Sequence, residues 1–428
     1  MLHRAVAWAL GFALALHASS PALAQAPNRA PSRTLTLTAA MQRALAANPR
    51  LTAAERDIGI ARGRRIQAGA IPNPDLSFEL DNAFGTGDYR GTRSAETTLQ
   101  ISQLVELSGK RQARIAAGDA GFAVAGWDRA AVRLEVLSET AIAFVNVLSA
   151  QRRVEIFDEQ IATLGRLTPL LQRRVDAGAS SPAEVARAEV AADLAKADRE
   201  RARVALAVAR RDLAALMGLT APDFKGVSGN LSRIGRPPSF PTVLAALEAN
   251  PQLVRWTAVQ AQRRAELLLA RLKVVPDPQV GLAWRHYRDT GDDAVRLGVA
   301  IPLPLWDQNR GGILEAQETL AKTDAEWKIN RIGLILLLGR AWETIGGAIE
   351  EVRLLRGSTI PKSRNALETI ESGYGQGRFT LLEILDAQAV AVQAALREVE
   401  ALTIFHTAVA TIEGLTGSPL TLSREASR

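Results

Sequence analysis

The chain has 428 residues, 52 Lys and Arg against 45 Asp and Glu, a formal net charge of +7 and no cysteine. The missing thiols exclude disulfides, thiolate metal sites, cysteine catalysis and a lipid anchor on an N-terminal cysteine. Both signs of charge are mixed along the sequence and no nucleic-acid motif accompanies the small excess. It therefore reads as a solvated helical surface, not a nucleic-acid footprint.

His3 and Arg4, the apolar stretch Ala5 to Leu16, and the small-residue steps Ala22-Leu23-Ala24 and Ala24-Gln25-Ala26 have the order of a secretory signal. Residues 1–24 are expected to be removed, with 26 as the alternative cut, and the apolar core is too short to span a bilayer. Export leaves only His286 and His406, too few for a zinc site or a histidine triad. The longest later apolar run, Ile332 to Leu338, is far short of the roughly 18 residues of a membrane helix. Any membrane-spanning part is then expected to be a β-barrel.

The remainder is a tandem repeat. Ala44-Leu45-Ala46-Ala47-Asn48-Pro49-Arg50-Leu51 matches Ala246-Leu247-Glu248-Ala249-Asn250-Pro251-Gln252-Leu253, and Ile71-Pro72-Asn73-Pro74 matches Val275-Pro276-Asp277-Pro278. Gly178, Ser181, Glu184 and Val185 match Gly377, Thr380, Glu383 and Ile384, while Leu216-Met217-Gly218 matches Leu415-Thr416-Gly417. The offsets all fall between 199 and 204, which indicates duplication. The expected division is repeat 1 over 35–219, a linker over 220–240, repeat 2 over 241–419 and a tail over 420–428.

Each unit runs through the same elements. Asn48 and Asn250 cap helices that begin at Pro49 and Pro251, and the double-proline turns stop those helices. Alternating residues then predict a β-hairpin: Leu76, Phe78 and Leu80 with Leu99 and Ile101 in the first unit, and Val280, Leu282 and Trp284 with Val295, Leu297, Val299, Ile301 and Leu303 in the second. Long helical runs follow, from about Lys110 to Ala177 and from about Ile313 to Gln376, reaching roughly 100 Å. Pro169 and Pro361 predict a kink in each. After a tight turn, return helices run from about Pro182 to Leu216 and from about Leu381 to Gly414. The spacings Leu385, Ala389, Val392, Leu396, Val399 and Leu137, Ala141, Phe144, Leu148 predict coiled-coil seams.

Four strands are too few to close a barrel, and an open edge leaves unpaired backbone groups that lipid does not tolerate. Three copies supply twelve strands, an even number within the range of outer-membrane barrels. Leu76, Phe78, Leu80, Val280, Leu282, Trp284, Val295, Leu297 and Val299 then face lipid. Ser77, Glu79, Gln100, Ser102, Gly281 and Arg296 face a wet lumen, and Phe84, Tyr287 and Trp306 lie where aromatic girdles form. The competing reading of the same alternation is a soluble sheet with one buried face.

The duplicated plan, Asn-Pro-x-Leu followed by Pro-Asn-Pro-Asp-Leu, and Gly-Arg-Phe-Thr-Leu-Leu-Glu-Ile-Leu-Asp-Ala-Gln at 377–388 together resemble the outer membrane efflux protein (TolC-like) family over about Leu35 to Pro419. Leu104-Val105-Glu106-Leu107-Ser108-Gly109-Lys110-Arg111 is similar to its heavy-metal branch of the cobalt-zinc-cadmium type. The resemblance implies a mainly α chain with a small β part, assembled as a homotrimer with a twelve-stranded β-barrel in the outer membrane and a periplasmic α-helical barrel. It also implies docking to a periplasmic adaptor (membrane fusion) protein and an inner-membrane pump of the resistance-nodulation-division type. Such a channel carries no catalytic residue, cofactor or metal site, and passes cargo that others deliver, here expected to be divalent heavy-metal cations. Small organic toxins are the alternative cargo; a soluble periplasmic coiled-coil adaptor or scaffold is the alternative class.

By the same resemblance the tips, Asp176 to Glu184 and Tyr374 to Asp386, form the periplasmic mouth. Glu383 and Asp386, three apart, share a helical face and match the family's acidic aperture. The first tip has Arg187 where the second has Asp386, so an acidic gate is expected mainly from the second repeat. Arg378 is expected to pair with Glu184 of a neighbouring hairpin and hold the mouth shut. Gly178, Ser181, Gly377 and Thr380 are the expected adaptor contacts. A plain structural turn role competes for the glycines, and a helix-dipole role for Glu383.

Overall fold

A computed structural model describes residues 34–422. The expected signal segment and residues 423–428 lie outside the described residues. Strand β1 (Thr34–Thr36) leads into α1 (Leu37–Ala47) and α2 (Pro49–Ala68), then the hairpin β2 (Asp75–Asp81) and β3 (Glu96–Leu104). Helix α3 (Lys110–Asp176) and its return α4 (Pro182–Leu216) complete the first unit. After β4 (Gly226–Ser228), the plan repeats as α5 (Phe240–Leu247), α6 (Pro251–Leu272), β5 (Gln279–Tyr287), β6 (Asp293–Ala300), α7 (Arg310–Leu354), α8 (Ile360–Gly375) and α9 (Leu381–Thr416).

The Asn-Pro caps form as expected, with Asn48 accepting from the Arg50 amide at 2.9 Å and Asn250 from the Gln252 amide at 2.7 Å. Both side chains are buried and do more than cap. The Asn48 amide donates to the Leu216 carbonyl at 2.8 Å, and the Asn250 amide to the Leu415 carbonyl at 2.6 Å. Each repeat is thereby tied shut, its short-helix junction to the end of its own return helix. Arg50 and Gln252, in matching positions, both reach Glu135 on α3, at 2.7 and 2.9 Å.

Helix α3 is the spine. Toward the sheet it packs against α2 and α6, and toward the tips against α4 and α9, with α9 in turn covered by α7 and α8. Its central position explains why Val136, Thr140, Ala141, Ala143, Phe144 and Val147 are all buried, a wider stripe than the expected Leu137-Ala141-Phe144-Leu148 seam. On α9 the expected seam is displaced at the tip: Leu381, Ile384 and Gln388 are buried, whereas Ala389 is exposed. The reason is that α9 turns its tip face toward Leu164, Leu167 and Leu171 of the other hairpin.

The two prolines behave differently. Helix α3 stays α-helical through Pro169, whereas Leu355–Thr359 between α7 and α8 form a π turn directly ahead of Pro361. Arg356 in that turn bonds Glu398 on α9 at 2.6 Å and the Ser232 carbonyl at 2.9 Å. By length and composition α7–α8 is apolar enough to cross a membrane. Its residues Leu334, Leu338, Ala341 and Ile345, however, are core positions packed with Val243, Leu247 and Phe405.

Candidate functional site

The four long strands form one antiparallel sheet in the order β2-β3-β5-β6, so the hairpins of the two repeats pair with each other through β3 and β5. In this register Phe78, Leu99, Trp284 and Val295 stand in one row, and Leu76, Ile101, Leu282 and Leu297 in the next. All eight are solvent-exposed in the single chain, as are Leu80, Val280 and Val299. The expected lipid-facing residues therefore share one uncovered apolar face. The opposite face carries the rows Ser77-Gln100-Ala283-Arg296 and Glu79-Thr98-Arg285-Ala294, together with Ser102 and Gly281. Arg296 donates to Gln100 at 3.0 Å, and Arg285 to Thr98 at 2.9 Å and Glu96 at 2.8 Å. The sheet is thus apolar on one side and hydrogen-bonded polar on the other, and β2 and β6 are free edges among the described residues.

At the other end of α3, both hairpin tips use one device. Gly178 (φ +70°) and Gly377 (φ +74°) follow their helices in the left-handed conformation that a side chain disfavours. The Ala179 amide returns to the Arg174 carbonyl at 2.8 Å, and the Arg378 amide to the Gly373 carbonyl at 2.9 Å. Ser181 then caps α4, and Thr380 caps α9 in a reciprocal box with Glu383. The Thr380 amide donates to the Glu383 carboxylate at 2.7 Å and its hydroxyl at 2.8 Å, and these bonds, the amide first, hold that carboxyl below its ordinary range. Gly178, Ser181, Gly377 and Thr380 are all exposed, as are Glu383, Asp386 and Arg378.

The tips also touch each other, through Tyr374 and Arg174, to which the sequence assigned no role. Tyr374 is 2% exposed and its hydroxyl donates to Glu184 at 3.2 Å. The Arg174 guanidinium lies 4.6 Å from the Tyr374 ring centroid and donates to the Tyr374 carbonyl at 2.8 Å. Burial, aided by the nearby Glu184 carboxylate, pushes the Tyr374 hydroxyl up. Within the chain, then, Glu184 is held by Tyr374, and Arg378 makes no ion pair among the described residues. The available signal was a lone tyrosine in the paired-tip segment of a chain with three.

The two histidines are apart. His286 bonds Asp293 at 2.9 Å on the sheet's apolar face, and His406 on α9 is half-buried and donates to the Leu231 carbonyl at 2.8 Å. Among the described residues, no three His, Asp or Glu side chains gather as a metal cluster.

The profile of the family described as "Outer membrane efflux protein" matches residues 40–219 and 243–418, one segment for each repeat. The chain is 30% identical over 383 residues to the cobalt-zinc-cadmium resistance protein CzcC of Cupriavidus metallidurans, covering 90% of each. It is 27% identical over 285 residues to the nickel and cobalt resistance protein CnrC of the same organism, covering 67% of each. The solved structure of CusC, titled for its folding and transmembrane channel formation, superposes with a TM-score of 0.76 at 15% identity, covering 93% of this chain and 96% of that one.

Proposed function

The chain belongs to the outer membrane efflux protein family, and on that premise we propose that three copies close their sheets into a twelve-stranded barrel continued by a periplasmic helical tunnel. The observation that carries this reading is the four-stranded sheet with one polar face, one apolar face and two free edges. A free edge in lipid leaves N–H and C=O groups without partners, each costing several kcal/mol, and pairing β6 of one copy with β2 of the next removes that cost all the way round. The polar face then lines the duct, while the helices carry it into the periplasm.

The duct is passive. Cargo reaches it from a periplasmic adaptor that docks on the exposed tips at Gly178, Ser181, Gly377 and Thr380, fed by an inner-membrane pump of the resistance-nodulation-division type. We assign divalent heavy-metal cations as the cargo, a reading supported by the similarity to CzcC and CnrC and by the acidic second tip. Glu383 and Asp386 from each copy surround the mouth and favour cations over anions. Closure rests on Glu184, held by Tyr374 within each copy and faced by Arg378 of a neighbouring hairpin. Deleting the gene is expected to sensitise the host to cobalt, zinc, cadmium or nickel. Sensitivity to organic toxins alone, with metal tolerance unchanged, would overturn the cargo assignment.

A further inference from the structure

The apolar face of the sheet is too short for the membrane it is to cross. Its outermost apolar row is Phe78-Leu99-Trp284-Val295; the row beyond it, Leu80-Thr97-His286-Asp293, is polar at three of four positions. From Val295 to Val299 the strand advances roughly 14 Å. At a tilt of about 40° that covers about 10 Å of depth, where an outer-membrane barrel presents an apolar band of about 25 Å. The missing depth lies where the strands hand over to the helices.

There the outward alternation continues without the ladder. Ile301 and Leu303 keep the parity of Val295, Leu297 and Val299 and are exposed, Leu303 by 69%, and beyond a turn at Pro304 Leu305 is exposed too and Trp306 follows at 93%. Val105 and Leu107 extend β3 in the same way and are also exposed. Extending the count from Val295 to Leu303, where the extended run ends, gives about 26 Å of chain and about 20 Å of depth, twice what the ladder alone covers.

The backbone of this collar is suited to a medium without water. The ends of β2, β5 and β6 carry Pro72 and Pro74, Pro276 and Pro278, and Pro302 and Pro304, which have no N–H to leave unpaired. The fourth strand end keeps its donors and pairs alternate ones: the Val105 amide donates to the Pro278 carbonyl at 2.9 Å and the Leu107 amide to Asp277 Oδ1 at 2.9 Å. The Leu305 amide is turned back to the Leu303 carbonyl at 2.9 Å. Polar residues Asp307, Gln308, Asn309 and Arg310 begin immediately after Trp306.

We propose that this Pro-x-Pro collar is a lipid-binding surface, its Ile301, Leu303 and Leu305 immersed in the acyl chains of the periplasmic leaflet and Trp306 at the headgroup boundary. The proposal rests on the trimeric-barrel reading. Its occupant is phospholipid, by continuity with the lipid-facing rows and by the removal of backbone donors at that depth. The competing cover is a second copy, whose α2 end exposes Ile66 and Ile71.

The absence of cysteine makes the test direct. Leu303→Cys and Leu297→Cys, each labelled with an environment-sensitive fluorophore, are reconstituted in phosphatidylcholine vesicles with and without mid-chain bromines, and iodide serves as the aqueous quencher. Leu305→Cys repeats the measurement should Leu303→Cys fail to assemble. Brominated lipid is expected to quench position 303 as strongly as 297, with iodide without effect on either. Quenching at 297 by lipid but at 303 by iodide, or by neither agent, overturns the collar alone and assigns the segment to water or to a second copy. Loss of lipid quenching at 297 as well overturns the barrel reading and the collar with it.

Discussion

Replacing Asn250 by Ala removes a helix cap and, on the other side of the same amide, the partner of the Leu415 carbonyl. The lost cap costs about 1 kcal/mol. Leaving a buried carbonyl unsatisfied costs about 1–3 kcal/mol more, so the change sums to about 2–4 kcal/mol. Asn250→Ser separates the two contributions, because a serine oxygen still caps Gln252 but has no reach to Leu415; it should lose only the second, about 1–3 kcal/mol. The same pair of substitutions at Asn48 should follow the same order with smaller losses, since the Asn48 bond to Leu216 is only part-buried whereas that of Asn250 is buried. The measurement is urea unfolding of the detergent-solubilised protein followed by far-ultraviolet circular dichroism. A serine variant within about 0.5 kcal/mol of the parent at both positions, the range of an ordinary surface substitution, would refute the tether as the clasp of each repeat.

Tyr374→Phe should loosen the paired tips by about 1 kcal/mol per copy, the value of a part-buried hydrogen bond, and raise single-channel conductance in planar bilayers; Glu184→Gln should do the same if the bond to Glu184 is the latch, and unchanged conductance in both would exclude it. Arg378→Ala tests the contact between copies in the same assay, with increased conductance expected. The lowered pKa of Glu383 means that its cap stabilises α9 above the ordinary carboxylate range and is lost as pH falls through the depressed value. Amide protection at Leu381 to Leu385, taken relative to the intrinsic exchange rate at each pH, should therefore fall on acidification, and Glu383→Gln should flatten that response. Burial lowers the pKa of His406, so the unfolded chain takes up a proton that the folded one excludes, and stability is lost as pH falls below about 6.5 until the depressed folded value is reached. His406→Gln should reduce the loss of stability seen on acidifying below that point in a thermal melt.

The features legible in the sequence were those with a local signature. Asn-Pro caps, Gly-bearing tips and two-residue alternation each sit within a few residues of what they specify, and the duplication displays each twice. The elements that escaped notice depend on distant partners. Nothing near Asn48 points to a carbonyl at Leu216, and nothing near Tyr374 points to Glu184. The parallel pairing of β1 with β4 is likewise long-range, joining Leu35 to Val227 within the segment read as a linker. Coiled-coil spacing on α9 was displaced by a residue at the tip because the helix packs there against two partners rather than one. The double prolines, read as helix stops, also mark the helix-side ends of strands, and the third pair, Pro302 and Pro304, has no helix to stop.

The closing of the sheet between copies is the claim on which the rest depends, and the cysteine-free background allows it to be tested by disulfide trapping in native membranes. Chains carrying one cysteine at Leu76, Phe78 or Leu80 on β2 and one at Val295, Leu297 or Val299 on β6 are oxidised and separated without reductant. At least one pairing is expected to give a ladder of monomer, dimer and trimer that ends at the trimer, as three edges joined in a ring require. A uniform monomer across all nine pairings, or a ladder that runs on past three, would contradict the twelve-stranded barrel.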